Sequence, residues 1–336
     1  MSAPKRKIRV AINGFGRIGR FTAKLIYNHP HLDLVAINDL AQPESIAHLL
    51  KYDSIHGKYE KDIRLDLPYL EVGTTSTLLL SQSNPELLPW TELDVDLVIE
   101  CTGRFTHSDG ASKHLKAGAK KVIVSAPAGD SSIPMVVLGV NETILTGEEK
   151  IISNASCTTN CLAPMIQVLE ENFGVIKGFA STVHSYTNDQ NLHDAPHRDL
   201  RRARAAAYSI IPTTTNAGKA LDLVLPKTAG KIEASAMRVP VPDGSLTDLI
   251  IELAQEVTTE QVNAAFRKAS ESYLKGYLQV ESDPIVSIDI IGNPHSCIID
   301  EALTLAKGTL VKVVGWYDNE SGYANRLVNL AELISA

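Results

Sequence analysis

Apolar residues alternate at Ile8, Val10 and Ile12, and the period then lengthens so that Ile18, Phe21, Leu25 and Ile26 share one face. A period of two followed by one near 3.6 predicts a strand leading into a helix. Leu34 to Ile37 supplies a second apolar strand, and Val95–Ile99, Val122–Val124, Met135–Val140 and Lys150–Ile152 continue the rhythm. Short, nearly continuous apolar runs separated by helical stretches predict a mainly parallel sheet buried on both faces. The threonines, glycine and alternating apolar residues of Ile63–Leu80 read as a hairpin inserted into that pattern. The sheet is expected to end near Ser153, where a helix to about Asn172 begins a different pattern. Long β-rich stretches follow at Lys231–Val239 and Leu246–Leu253, as in an α+β domain. A last helix carries Leu327, Leu330, Ala331 and Ile334 on one face and is expected to return to the first domain.

The chain has 336 residues, 44% of them hydrophobic, which favours two domains with substantial cores. The expected division is 1–156 together with 320–336, and 157–319. A formal net charge of -7 gives no global attraction to nucleic acid or anionic lipid, so neither a nucleic-acid partner nor a membrane is expected. Lys5, Arg6 and Lys7 precede a strand that is short and broken by Asn13 and Gly14, which is not a signal-peptide core, and no segment is apolar for long enough to span a bilayer. Four cysteines, Cys101, Cys157, Cys161 and Cys297, form no CxxC pair. A reducing cytoplasm is the expected compartment, and no metal is expected.

Between the first strand and first helix, Gly14-Phe15-Gly16-Arg17-Ile18-Gly19 gives G-x-G-x-x-G. Glycines at these positions permit a tight turn, close approach of backbone to a pyrophosphate and close helix-to-strand packing, with the phosphates at the helix N-terminus. The second strand ends in Asp39, twenty positions past Gly19, where the hydroxyls of an adenosine ribose would lie. A carboxylate there also repels a 2′-phosphate. The fold class is therefore α/β: an N-terminal Rossmann-type dinucleotide-binding domain, preferring NAD to NADP, an α+β catalytic domain, and a C-terminal helix returning to the first.

The segment Ser153-Asn-Ala-Ser-Cys-Thr-Thr-Asn-Cys-Leu-Ala-Pro164 sets Cys157 among hydroxyl and amide side chains immediately before a helix. Unpaired backbone N–H groups and the positive end of the helix dipole at such a place lower a thiol's pKa. A nucleophilic cysteine needs a proton acceptor. Of ten histidines, His184 is best placed, because it ends a short β-like run where a rigid element meets a loop, whereas His31, His114 and His197 stand in polar, surface-like contexts. A thiolate beside a nicotinamide suits aldehyde oxidation: it adds to the carbonyl, hydride leaves to NAD, and a thioester remains.

These motifs resemble the phosphorylating glyceraldehyde-3-phosphate dehydrogenases over nearly the whole chain: Ala11–Arg20, Val35–Asp39, Lys51-Tyr-Asp-Ser54, Ser153–Pro164, His184–Gln190, Arg238-Val-Pro240 and Trp316-Tyr-Asp-Asn-Glu320. The resemblance implies that glyceraldehyde 3-phosphate and inorganic phosphate are the substrates, that Cys157 is the nucleophile and that His184 activates it. It further implies that Thr187 and Arg238 hold the substrate phosphate, with Asp189 orienting the arginine. Inorganic phosphate would meet Ser156, Thr158, Thr215 and Arg202. Arg17, Ile18, Asp39, Thr102, Ser125 and Asn319 match positions that contact the dinucleotide, and Tyr323 one beside the nicotinamide. A homotetramer is implied as well, with the basic run Arg198, Arg201, Arg202 and Arg204 in a long loop near the cofactor and subunit contacts. Cys161, one helical turn beyond Cys157, reads as structural.

Three departures qualify the resemblance. Asn216 follows Thr215 where the family usually has glycine, which leaves one phosphate contact open. Asp194-Ala195-Pro196 is intermediate between NAD-type and NADP-type loops. Ser321 stands where many relatives have tryptophan or threonine, with no functional meaning attached to it. The competing reading is erythrose-4-phosphate dehydrogenase, a sister family whose members often have a non-glycine residue at the place of Asn216 but tend to lack the Tyr-Thr-Asn-Asp-Gln sequence present at 186–190.

Overall fold

The computed structural model describes residues 6–335, so Lys5 of the basic cluster and Ala336 lie outside the described residues. The chain divides into two compact units. The first holds residues up to Val136, Thr143–Ala155 and the chain from Ala324; the second holds Val137–Glu142 and Ser156–Tyr323.

In the first unit the order is β1 (Ile8–Asn13), α1 (Arg17–Ile26), β2 (Leu32–Asn38), α2 (Pro43–Lys51), the two-residue strands β3 (Tyr52–Asp53) and β4 (Gly57–Lys58), β5 (Ile63–Asp66), β6 (Tyr69–Val72), β7 (Thr75–Leu80), β8 (Leu97–Glu100), α3 (Ser108–Lys116), β9 (Lys121–Val124) and β10 (Ile151–Ser153). The sheet runs β10-β9-β8-β1-β2-β7-β6-β5. It is parallel from β10 through β7, and β7, β6 and β5 then pair antiparallel. Ile63–Leu80 is thus two successive hairpins whose last strand joins β2, rather than one inserted hairpin. Val10, Ala11 and Ile12 are all fully buried, as a strand covered on both faces requires.

The chain leaves β1 toward β2 on one side and reaches β8 on the other. That reversal at β1 opens a crevice at the carboxyl ends of the strands, the place where doubly wound sheets hold ligands.

Met135–Val140 is not a strand. Met135 makes a single parallel bridge to Ser153, and beyond it the Val137 N–H donates to Asn141 Oδ1 at 2.8 Å while Gly139 takes φ +84. Met135–Leu138 are buried, so the apolar character of the run reflects packing in a turn and not a ladder.

The second unit begins with α4 (Cys157–Phe173), followed by β11 (Val175–Ser185), β12 (Ile211–Thr213), α5 (Ala217–Val224), β13 (Ile232–Val239), β14 (Ser245–Leu253), α6 (Thr259–Glu271), β15 (Leu278–Glu281), β16 (Cys297–Asp300), β17 (Leu305–Lys307) and β18 (Leu310–Tyr317). Its sheet runs β12-β13-β11-β14-β18-β16-β15, with β17 on β18. Along β11 one face buries Ala180, Thr182 and His184, and the other carries the exposed Phe179, paired with exposed Ile250 of β14. The final helix α7 (Ser321–Ser335) starts in the second unit and passes into the first, where Leu327, Leu330 and Ala331 are buried.

Candidate active site

In the first unit, the glycine turn is built by close packing. A Cβ on Gly14, at φ +94, would lie 2.6 Å from the Thr102 backbone nitrogen, and one on Gly19 would lie 2.2 Å from the Gly14 carbonyl oxygen. Gly16 has nothing within 4 Å of its Cβ position and caps α1 with no side-chain hydrogen bond, so the helix start is open to a ligand. Asp39 stands beside it. Its carboxylate accepts from the Phe15 N–H at 2.6 Å and the Ala41 N–H at 2.8 Å. Gly14, Gly16, Asp39 and Thr102 share one crevice of about 310 Å³ with Asn13, Asn38, Gln82 and Cys101. Arg17, Ile18 and Ser125 do not line it. The Arg17 guanidinium pairs with Asp53 at 2.9 Å, and Ser125, just past β9, donates its N–H to the Glu100 carbonyl.

In the second unit, α4 and β11 bring the thiol to its partner. The Ser156 hydroxyl accepts from the Thr159 N–H at 3.1 Å, a capping bond that fixes where the helix begins. Cys157 is the next residue, and its Sγ lies 3.5 Å from His184 Nε2 at the end of β11. His184 Nδ1 is 2.8 Å from the Ser185 carbonyl oxygen. Donating there leaves Nε2 with a lone pair toward the sulfur.

Parallel pairing of β11 with β13 sets Arg238 beside His184. Arg238 Nη1 donates to the Ser185 carbonyl at 2.9 Å and to Thr187 Oγ1 at 3.1 Å, and lies 2.9 Å from His184 Nδ1. Its Nε is buried with no hydrogen-bond partner. A buried, unpartnered guanidinium N–H next to a threonine hydroxyl fits an anionic ligand.

Asp189 binds Thr187 Oγ1 and the Arg202 guanidinium, not Arg238. Arg202 also donates Nε to Thr213 Oγ1 at 2.8 Å, so it is anchored at both ends of its guanidinium. The remaining residues ascribed to the phosphate are partly engaged elsewhere. Thr158 Oγ1 meets the Tyr317 hydroxyl at 3.1 Å, Thr215 Oγ1 accepts from the Ala217 N–H, and exposed Asn216 precedes α5 without a side-chain cap. Asn319 is buried, its Oδ1 accepting from Ser185 Oγ at 2.8 Å and Ser245 Oγ at 2.7 Å, which orients the amide. Tyr323 is buried at the start of α7.

Two family models match: "Glyceraldehyde 3-phosphate dehydrogenase, NAD binding domain" over residues 8–108, and "Glyceraldehyde 3-phosphate dehydrogenase, C-terminal domain" over residues 156–319. Glyceraldehyde-3-phosphate dehydrogenase 2 of Streptomyces avermitilis is 54% identical over 330 residues, covering 97% of this chain and 98% of that one. The glyceraldehyde-3-phosphate dehydrogenase of Geobacillus stearothermophilus is 51% identical over 331 residues, 98% of each. Glyceraldehyde-3-phosphate dehydrogenase 1 of Bacillus subtilis is 51% identical over 330 residues, again 98% of each. The chain belongs to the glyceraldehyde-3-phosphate dehydrogenase family.

Residues 8–108 are thus an NAD-binding domain of this family, and the crevice fits that group. Gly14 and Gly16 leave room for the pyrophosphate at the start of α1, and the Asp39 carboxylate can accept from ribose hydroxyls. The electrostatics of the thiol centre differ from the expectation. Burial pushes the Cys157 thiol up to about 11, with Arg238 and the Thr158 N–H only partly opposing it. Burial and then Arg238 bring His184 down to about 3. Burial thus opposes the charged form of each group, thiolate and imidazolium alike, while the Arg238 charge favours the thiolate and disfavours the imidazolium.

Two features escaped the sequence reading. Tyr317 touches the site through its hydroxyl on Thr158 and its ring edge-on to His184, with centroids 6.0 Å apart. His114, expected at the surface, is fully buried between Trp90 and Glu100. Its polar neighbours in sequence say nothing of a ring turned inward from α3; only the carboxylate closing apolar β8 hinted at a buried partner.

Proposed function

We propose that this chain oxidises D-glyceraldehyde 3-phosphate to 1,3-bisphosphoglycerate with NAD and inorganic phosphate. The observation that carries the site assignment is the Cys157–His184 contact beside Arg238, whose buried Nε lacks a partner. Arg238 and Thr187 hold the substrate phosphate and thereby bring the aldehyde carbon to Cys157 Sγ. The sulfur adds to the carbonyl as His184 Nε2 takes the thiol proton and passes it to the carbonyl oxygen, giving a hemithioacetal with a neutral imidazole beside it. His184 then accepts the hydroxyl proton of that adduct, so that collapse of the alkoxide leaves a thioester on Cys157. NAD, when bound, supplies the hydride acceptor for this oxidation. Inorganic phosphate, held by Ser156, Thr158, Thr215 and Arg202, attacks the thioester carbon; the C–S bond breaks to release the acyl phosphate, and His184 returns its proton to the Cys157 sulfur.

Asp189 supports this arrangement from the Arg202 side, and Asn319 and Tyr323 complete the dinucleotide contacts together with Arg17, Ile18 and Ser125. The domain division intended by this reading is 1–156 with 320–336, and 157–319. A homotetramer accounts for the apolar side chains exposed on one face of the second sheet, Phe179, Met237 and Ile250, and for Leu200 and Tyr208 in the preceding loop. Free thiols at all four cysteines suit a reducing cytoplasm. Among the described residues no helix is long and apolar enough to cross a membrane.

The decisive experiment measures NADH formation from glyceraldehyde 3-phosphate and from erythrose 4-phosphate, with and without phosphate. Phosphate-dependent turnover of the triose is expected. Asn216 favours the sister activity, and phosphate-independent preference for the tetrose would replace the proposed reaction with that of erythrose-4-phosphate dehydrogenase.

A further inference from the structure

The polar lining of the dinucleotide crevice is tied to one buried carboxylate. Strands β2, β1 and β8 end in register, Asn38 beside Asn13 and Asn13 beside Glu100. Glu100 is 1% exposed. Its Oε1 accepts from the Thr102 backbone N–H at 2.7 Å and from the Thr102 hydroxyl, and its Oε2 accepts from Asn13 Nδ2 at 2.5 Å. Oε2 also lies 3.1 Å from His114 Nε2. Asn13 Oδ1 accepts in turn from Asn38 Nδ2 at 2.7 Å, and the Asn38 amide clasps the Gln82 backbone, donating to its carbonyl at 2.9 Å and accepting from its N–H at 2.8 Å. Asn13, Asn38, Gln82 and Thr102 all line the crevice.

The far end of the network fixes the histidine tautomer. The fully buried Trp90 donates its indole N–H to His114 Nδ1 at 3.1 Å. An indole nitrogen can only donate, so Nδ1 is the acceptor and the ring proton sits on Nε2, aimed at Glu100. All four lone-pair directions of the carboxylate are then occupied, two on each oxygen. A carboxamide in its place would have to reverse at least one of these bonds.

We propose that Glu100, held in orientation by His114 and Trp90, is a positioning residue for NAD. It presets Thr102 and Asn13 directly, and Asn38 and Gln82 through Asn13, so that the crevice is formed before the dinucleotide arrives. This inference rests on the reading of the crevice as the NAD site. A glutamine at position 100 has the same shape but places an NH₂ against two donors, Asn13 and His114. His114 cannot relieve the conflict by changing tautomer, because Nδ1–H would then face the indole N–H.

The test uses the full-length protein with Glu100→Gln, His114→Leu and His114→Gln. The first two should raise the Kd and KM for NAD roughly tenfold or more, as loss of charge-assisted hydrogen bonds predicts, while kcat at saturating NAD and the KM for aldehyde stay within about twofold. His114→Gln should restore NAD affinity to within about threefold of wild type, because a carboxamide can accept from Trp90 and donate to Glu100. Unchanged NAD affinity in Glu100→Gln and His114→Leu would overturn the proposal, and so would equal weakening by His114→Gln and His114→Leu. If Glu100→Gln does not fold, the two His114 variants decide the matter in the same way. Absence of NAD binding by the wild-type protein would instead overturn the reading of the crevice, and this inference with it.

Discussion

Replacing Arg238 with leucine should move two ionisations of the thiol centre in ways that can be read separately. Arg238 Nη1 is 2.9 Å from His184 Nδ1, so its charge opposes protonation of the ring. With charge centres about 4 Å apart and an effective dielectric of about 20, the repulsion is about 4 kcal/mol, close to three decades in proton affinity. Burial is the larger cause of the low His184 value and persists in the variant. The His184 midpoint should therefore rise from about 3 without regaining its ordinary value, entering the window of roughly pH 4.5–6. Histidine ring NMR between pH 4.5 and 8 would show it, with His184→Asn identifying the resonance. Wild type should show no His184 titration in that range and Arg238→Leu should show one. The same variant loses the charge that opposes the upward push on Cys157, so alkylation of this thiol near neutral pH should slow. A His184 resonance that still fails to titrate in Arg238→Leu would refute the electrostatic argument and leave burial as its sole cause. If the substrate phosphate is bound by Arg238, the anion should reproduce part of the effect in wild type, coupling occupancy of the site to the basicity of His184.

Cys157→Ala should abolish turnover while NAD affinity, measured by titration, is retained; His184→Asn should slow turnover by roughly 10²–10⁴, and an unchanged rate in His184→Asn would remove it from the mechanism. Asp39→Ala should raise the NADP-to-NAD ratio of kcat/KM, since the carboxylate that repels a 2′-phosphate is gone; a ratio identical to wild type would show that discrimination lies elsewhere. Asp318 is pushed up to about 7 by burial and then by Asp243, so it takes up a proton on folding, and the stability this gives is full below about pH 4 and lost as pH rises toward 7. Asp243→Asn removes the like charge, and its denaturation free energy should fall less between pH 5 and pH 8 than that of wild type; an equal fall in both proteins would count against the pair.

The first unit was readable where one short segment decides its own structure. The alternation of Ile8, Val10 and Ile12, the glycines and the period of Ile18, Phe21, Leu25 and Ile26 specify strand, turn and helix locally, and β1 and α1 stand where those signals fall. Met135–Val140 shows the limit. Its apolar run is compatible with a strand, but a strand also needs a neighbour along its whole length, and the turn held by Asn141 and Gly139 gives it only the bridge at Met135. The double hairpin after α2 was half visible for the same reason: turn residues mark where the chain reverses, not which edge the last strand joins.

The thiol centre divides along the same line. Cys157 is set by its own neighbours, because Ser156 caps the helix that begins at the cysteine. The proximity of His184 to Arg238 is a property of parallel register between β11 and β13, two strands separated by the loop, β12 and α5, and no local spacing encodes it. Register also bears on the ionisation of the thiol. A helix N-terminus favours a thiolate wherever it occurs, but how far water is excluded from that thiol depends on which strand faces it, and here β11 places a buried histidine against it. An anion that engages Arg238 offsets the charge that opposes protonation of His184, so the response of His184 to phosphate tests the site more sharply than the loss of activity in any single variant.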